Sequence, residues 1–108
     1  MNHMQPADML FKALADPTRR ALFERLCTAE MTVHALTDGA GISQPAVSKH
    51  LAALKAAGLV SDRPDGRRTH YRAEPRALAP LVDWVEHYSA FWAGKLDALT
   101  DLLKRMDQ

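Results

Sequence analysis

The chain has 108 residues, of which 47% are hydrophobic and 25% charged, and its formal net charge is +1. This length supplies one hydrophobic core, so we expect a single domain over residues 1–108, and the composition excludes a disordered chain or a disulfide scaffold. Cys27 is the only cysteine, and residues 1–8 lack the basic and apolar segments of an export signal. No apolar run reaches the length of a membrane span, so the sequence predicts a cytoplasmic protein with no membrane partner.

The first three predicted elements are helices. A first helix is expected over residues 7–14. Asp16, followed by a proline, is a typical cap for a second helix that extends to Cys27. Thr32 caps a short third helix over residues 33–38, which ends at a glycine-rich segment.

A fourth helix is predicted over residues 44–57, with Ser43 as its cap and Gly58 closing its C-terminus. Three residues at helical spacing form one apolar stripe, namely Val47, Leu51 and Leu54. Two helices joined by a short glycine-containing turn make a helix-turn-helix motif. The third and fourth helices therefore form the predicted motif.

A β-hairpin wing follows the fourth helix. Two short strands are predicted over residues 59–63 and 69–72, because the Asp-Gly pair within residues 64–67 is a strong turn signal. The predicted fold is thus mainly α with a small β-hairpin, a winged helix-turn-helix of order α-α-α-α-β-β-α.

The last predicted element is one long amphipathic helix over residues 80–106. Apolar residues recur along it every seven positions, and further apolar residues lie on the same face of the helix. A stripe of this length exceeds what one small domain covers, so we expect part of it to pack against a second copy, although folding back on its own core is the alternative. The expected interface residues on this helix are Leu81, Val85, Tyr88, Trp92, Leu96 and Leu99.

Positive charge is concentrated around the fourth helix and the wing. Residues 43–72 contain six basic and two acidic side chains, and the rest of the chain contains eight basic and eleven acidic ones. This distribution is typical of a polyanion-binding surface, although a solvated charged face is the alternative. Arg67 and Arg68 follow the wing turn and are candidates for phosphate or minor-groove contact, whereas Arg63 and Arg72 are equally suited to bracing the strands.

The start of the fourth helix presents small or hydrogen-bonding side chains. A DNA major groove admits a helix whose leading face is not bulky, and glutamine and serine both bond to base edges. Gln44 and Ser48 are therefore the candidate base-reading residues, and Lys49 and His50 are candidates for backbone or base contact. The remaining candidates in the DNA-contact set are Ser43 and Pro45.

Several motifs occur in a characteristic order over about residues 8–105. They are residues 15–20 with Leu22 and Leu26, residues 42–51, residues 54–60, and residues 65–68 with Tyr71. In these motifs the chain resembles the ArsR/SmtB type of winged-helix repressor. The resemblance implies a homodimer closed by the first and last helices, which adds Leu10 to the expected interface. It also implies that recognition helices enter successive major grooves of a palindromic operator and block transcription.

The metal ligands of this family are mostly missing. Where metal-sensing members place a Cys-x-Cys pair in the third helix, this chain has a lone His34 between Val33 and Ala35. In the last helix Asp83 and His87 are four residues apart, with no second histidine after them. We therefore expect no metal and no cofactor, and a ligand role for His34, Asp83 or His87 stays open.

Three other classes compete with a DNA-binding repressor. An enzymatic function has no support, because the chain has no glycine-rich phosphate loop, no nucleophile elbow and no zinc-protease motif. We therefore expect no catalytic residue. A winged-helix module for protein contact alone leaves the polar helix face and the wing arginines unexplained. A sensor of a metal or small molecule is the third alternative, with the aromatic run 84–92 as a pocket for an apolar effector between subunits.

Overall fold

A computed structural model describes residues 5–107, so residues 1–4 and 108, including half of the segment examined for an export signal, lie outside the described residues. Five helices, three strands and one 3₁₀ turn make up the described part. In chain order the elements are α1 (Pro6–Leu14), α2 (Pro17–Thr28), β1 (Met31–Thr32), α3 (Val33–Thr37), α4 (Gln44–Ala56), β2 (Val60–Asp65), β3 (Arg68–Ala73), the 3₁₀ turn (Pro75–Leu78) and α5 (Ala79–Met106). This order confirms the predicted fold class.

Capping side chains determine where the helices begin. The Asp16 carboxylate accepts a hydrogen bond from the backbone N–H of Arg19 at 3.0 Å, and the Thr32 hydroxyl accepts one from the N–H of Ala35 at 3.1 Å. N–H groups in the first turn have no partner inside the helix, so these side chains satisfy them. The helix ends consequently agree with the sequence prediction to within one residue at each terminus.

The sheet has one strand more than the sequence predicted. All three strands pair antiparallel in the order β1-β3-β2. The unpredicted β1 is two residues long, and its Thr32 pairs with His70 of β3. The hairpin strands are also longer than expected, and the loop between them shrinks to Gly66 and Arg67, with Gly66 at a φ of +63°. This sheet joins the wing directly to the start of α3.

The core lies between α2, α3, α4 and the sheet. Its fully buried large side chains are Leu22, Leu36, Val47, Leu51, Leu54 and Leu59. The predicted apolar stripe of α4 supplies half of this set. Each such leucine or valine contributes roughly 1.5–3 kcal/mol by leaving water. The buried stripe therefore sets the rotation of α4 about its own axis.

The position of Leu10 differs from the prediction. This residue was expected at a dimer interface, but only 3% of it is exposed, and it packs in the core of its own chain together with Ala13. The physical reason is that α1 lies against both α2 and α5, so the inner face of α1 is covered without a partner. Met9 and Phe11, which lie on either side of Leu10 around the helix axis, are instead partly exposed.

Helix α5 extends away from this core. None of its residues is buried, and the chain measures 61 × 40 × 24 Å with a radius of gyration of 18.3 Å. A compact domain of this length has a radius of gyration of about 13 Å. Five of the six predicted interface residues on α5 are among its exposed large apolar side chains, whereas Leu81 is half-buried. Within residues 5–107, no helix has both the length and the hydropathy of a membrane span.

Gly58 ends α4 in a left-handed conformation, with a φ of +79°. Its N–H donates to the carbonyl of Lys55, and the next N–H, of Leu59, donates to the carbonyl of Leu54, both at 2.9 Å. These two bonds form the Schellman motif that glycine favours at this position. The motif directs the chain from α4 into β2.

We expect Gly58→Ala to lower the free energy of unfolding by about 1–2 kcal/mol, because a Cβ disfavours the left-handed conformation. A Cβ at this position meets nothing within 4 Å, so the loss isolates the backbone effect. Urea titration followed by circular dichroism measures it. Gly58→Asn is the matched control and loses less, and equal stability of the alanine variant would contradict this account.

Candidate nucleic-acid interface

A cleft separates the start of α4 from the wing, which comprises β2, β3 and the loop between them. Its volume is about 540 Å³. The residues that line this α4–wing cleft are Thr32, Val33, His34, Gln44, Ser48, Arg67, Arg68 and Thr69. Four of the predicted DNA-contact residues, two from the helix and two from the wing, thus meet on one concave surface.

Helix rotation explains why Gln44 and Ser48 share this surface. Residues four apart are about 40° apart around an α-helix, so both side chains lie on the flank of α4 that faces the wing. Pro45 and Lys49 lie on the exposed outer face, each roughly 160° around the axis from the buried Val47. Hydroxyl and amide groups therefore face the wing, and a cation points outward.

His50 lies on the opposite flank of α4, about 160° from Ser48. Its Nδ1 atom is buried without a hydrogen-bond partner. The backbone N–H of Arg19 holds the pKa of Asp16 below its ordinary value, and His50 acts in the same direction. The imidazole consequently faces the start of α2, which argues against the predicted DNA contact of His50. Counting 100° per residue from the predicted apolar stripe would have revealed this from the sequence.

Ion pairs divide the basic residues of this region into two groups. Lys55 pairs with Asp62 at 3.0 Å, Arg63 pairs with Glu30, and Arg72 pairs with Glu74 at 3.0 Å. Arg63 and Arg72 therefore brace the sheet, as one of the two sequence interpretations held. Within the described residues, the cations of the region that form no ion pair with a carboxylate are Lys49, Arg67 and Arg68. These three stand on the outer face of α4 and at the cleft.

Sequence reasoning missed three polar residues of the cleft. Thr32, His34 and Thr69 all line it. Thr32 and Thr69 lie on β1 and β3, and the pairing of these strands carries the start of α3 to the cleft wall. Because no local sequence pattern predicts the two-residue β1, the position of α3 relative to the wing was not predictable. His34, considered only as a metal ligand, lies here beside Ser48.

The candidate metal ligands lie far apart along the fold. His34 is at the α4–wing cleft, whereas Asp83 and His87 are on α5, where the His87 ring packs edge-on against Tyr88 at 4.8 Å between centroids. Within residues 5–107 no three histidine, cysteine or acidic side chains converge in one chain. What the cleft offers chemically is a set of hydrogen-bond donors and unpaired guanidinium groups, which suits an anionic, hydrogen-bonding partner.

Comparison with known proteins identifies close relatives. Residues 16–62 match the family model described as bacterial regulatory protein, arsR family. The chain is 40% identical to the HTH-type transcriptional regulator Rv2034 of Mycobacterium tuberculosis over 103 residues, 95% of this chain and 94% of the relative. It is 39% identical to the probable mercury resistance operon repressor of Streptomyces lividans over 98 residues, 91% of this chain and 78% of the relative.

A solved structure adds an oligomeric relative. It is the homodimeric winged helix-turn-helix DNA-binding domain of Mycobacterium bovis, a possible ArsR-family transcriptional regulator. The two chains align with a TM-score of 0.64 and 30% identity, over 79% of each chain. These matches agree with the winged helix-turn-helix architecture.

Ser43 caps α4 by accepting the backbone N–H of Ala46 at 3.3 Å. We expect Ser43→Ala to lower the free energy of unfolding by about 1 kcal/mol, because this N–H then loses its partner. Urea titration measures the change. Ser43→Asp is the control that restores the cap, and a Ser43→Ala variant as stable as the parent would show that the hydroxyl does not support the helix.

Proposed function

Since this chain belongs to the ArsR family of bacterial regulatory proteins and is a DNA-binding transcriptional regulator, we propose that it represses transcription as a homodimer bound to a palindromic operator. In this proposal one domain carries both DNA binding and dimerisation. Repression follows because the bound dimer occludes RNA polymerase. The regulator acts where the chromosome lies, in the cytoplasm, and it is not an enzyme.

The α4–wing cleft is the observation that carries this proposal. Gln44 and Ser48 face it from the helix, and Arg67 and Arg68 face it from the wing. When α4 enters a major groove, the amide of Gln44 reaches the edge of an adenine and the hydroxyl of Ser48 reaches a neighbouring base edge. The wing then follows the adjacent backbone, where its two arginines contact phosphates or the minor groove.

The ion-pair pattern supports the same orientation on DNA. A cation that is already paired with a carboxylate gains little binding free energy from a phosphate, because it must first give up its contact with the carboxylate. Lys49, Arg67 and Arg68 form no such pairs in the described structure, and all three are exposed. We propose that these residues supply the phosphate contacts, whereas Lys55, Arg63 and Arg72 stabilise the wing.

A second copy of the chain is the proposed occupant of the α5 stripe. Its exposed side chains include Trp84, Val85, Phe91, Trp92 and Leu99, each about half exposed. Such a continuous apolar face is unfavourable in water, and a two-fold partner covers it with the same face. The Mycobacterium bovis relative is homodimeric. Two recognition helices then lie about 34 Å apart, one helical turn of DNA.

We propose that this repressor binds DNA without a bound metal. The Streptomyces lividans relative is named as a repressor of a mercury resistance operon. In this chain no thiolate pair stands in α3, and Cys27 is a lone, exposed cysteine at the end of α2. A metal site would require residues from both protomers, because no three potential ligands converge within residues 5–107 of one chain.

Titration onto labelled DNA from upstream of the coding region tests the function. The protein competes against random DNA, at two salt concentrations, with and without zinc. Competitor-resistant, salt-sensitive binding that ignores zinc supports the proposal. Binding with no preference over random DNA favours a protein-interaction module instead, and release by zinc would establish a metal sensor.

We expect Leu99→Glu to weaken the dimer at least 100-fold, because a carboxylate placed in an apolar seam costs several kcal/mol. Analytical ultracentrifugation measures the dissociation constant. Ala90→Glu is the matched control, since nine residues separate the two sites and about 180° of helix rotation puts Ala90 on the opposite face. Equal loss in both variants would contradict the assigned interface.

Arg67→Ala is expected to weaken binding to every DNA sequence and to reduce the salt slope of log K by about 0.9 for each lost phosphate contact. Fluorescence anisotropy over a salt series measures this slope. Arg72→Ala is the control from the paired group, and it leaves the slope near that of the parent protein. A larger change for Arg72 than for Arg67 would reverse the assignment.

Gln44→Ala gives the contrasting signature. We expect it to weaken the specific site by about 1–3 kcal/mol while non-specific binding stays nearly unchanged, because a base contact is lost and no phosphate contact is. Ser48→Ala behaves in the same way. The same anisotropy assay measures the ratio of specific to non-specific affinity for each variant. A uniform loss across sequences would remove these residues from base reading.

A further inference from the structure

His70 lies where the wing meets the helix-turn-helix motif. In the middle of β3 it pairs in register with Thr32 of β1 on one side and with Arg63 of β2 on the other. Thr32 is also the cap of α3. The side chain of His70 is 24% exposed, so it is partly enclosed but open to protons.

Two carboxylates from different segments flank the imidazole. Its Nε2 atom is 3.3 Å from Oδ2 of Asp65 at the tip of the wing, and its Nδ1 atom is 3.8 Å from Oε1 of Glu30 between α2 and β1. Both separations are contacts between opposite charges when the ring is protonated. The imidazolium attracts the two carboxylates, whereas the neutral ring carries no charge to do so.

Other charged groups around His70 are already paired. Arg63 shares the Glu30 carboxylate, and Asp62 and Arg72, which line the same small cleft of about 190 Å³, pair with Lys55 and Glu74. Within residues 5–107, the carboxylate of Asp65 has no ion-pair partner besides His70. Glu30 therefore keeps a cation when His70 is neutral, and Asp65 does not.

Asp65 adjoins the wing loop that presents Arg67. It pairs in register with Arg68 across that loop. A displacement of Asp65 therefore moves the wing loop and the start of β3, which carry Arg67 and Arg68. An unpaired carboxylate here also repels the phosphates that these arginines attract. Both effects act in the same direction, against DNA binding while His70 is neutral.

We propose that His70 is a positioning residue for DNA binding, whose imidazolium holds the wing tip through Asp65. The proposal rests on the proposed function, because it acts through the phosphate contacts of Arg67 and Arg68. The DNA-bound state favours the protonated ring, so binding takes up a proton. Affinity for DNA therefore rises as the pH falls and the ring gains its proton.

Dissociation constants at two pH values test this linkage. The probe is a random-sequence duplex of roughly two helical turns, because phosphate contacts do not depend on sequence. At constant ionic strength we expect the parent protein to bind about three- to fivefold more tightly near pH 6 than near pH 8. His70→Gln and Asp65→Asn both lose most of this gain, and a full gain in His70→Gln would overturn the proposal.

Two matched histidine variants locate the proton. His87→Gln, on α5 and away from the wing, keeps the pH response. His34→Gln alters the wall of the α4–wing cleft itself, and it also keeps the part of the pH response that depends on His70. A response abolished by His34→Gln but retained in His70→Gln would overturn the proposal, because protonation would then act at the cleft.

The free protein supplies a readout that needs no DNA. The amide resonances of Gly66 and Arg67 in a two-dimensional NMR spectrum are expected to shift with pH in step with the His70 ring, and to stop doing so in His70→Gln and Asp65→Asn. Loop amides that ignore the ring would overturn the positioning role. Absence of any DNA binding would instead count against the proposed function, and the amide titration would still decide the role of His70.

Discussion

Burial of three side chains on α4 determines the orientation of the whole candidate interface. Val47, Leu51 and Leu54 have no exposed surface, and their spacing leaves the helix a single favourable rotation. At that rotation Gln44 and Ser48 face the wing. A turn of α4 by one residue position would expose leucine to water, at roughly 1.5–3 kcal/mol for each side chain. Core packing and the orientation of the proposed DNA-reading face are consequently two results of one constraint.

Electrostatics then selects among the basic residues that the fold brings together. The sheet places Glu30, Asp62 and Glu74 beside three of the cations, and these pairs stabilise the wing instead of binding a ligand. Exposed ion pairs contribute little energy individually, commonly below about 1 kcal/mol. Their larger effect here is selective, because they leave free positive charge mainly at the cleft and on the outer face of α4.

The long helix α5 connects the single chain to its proposed assembly. Its apolar stripe lies outside the core, so its stabilising effect requires a partner that covers it. In a two-fold dimer the same contact also sets the distance between the two clefts, which must match one turn of DNA. In the proposed assembly, dimerisation and operator recognition are therefore coupled through α5, which continues directly from the wing and the 3₁₀ turn.

Helix boundaries were determined by the sequence alone, because the signals for them are local: Asp16, Thr32 and Ser43 cap the neighbouring backbone, and Gly58 reverses it. The face of α4 that carries Gln44 and Ser48 was also predictable from the apolar stripe, and the same count of helix rotation puts His50 on the opposite flank. Only the tertiary structure decided the pairing of β1 with β3, the ion pair between Glu30 and Arg63, and the enclosure of Leu10 by its own chain. These contacts join residues far apart along the chain, 33 positions in the case of Glu30 and Arg63, and no local pattern encodes such a contact because its energy exists only once the intervening chain has folded.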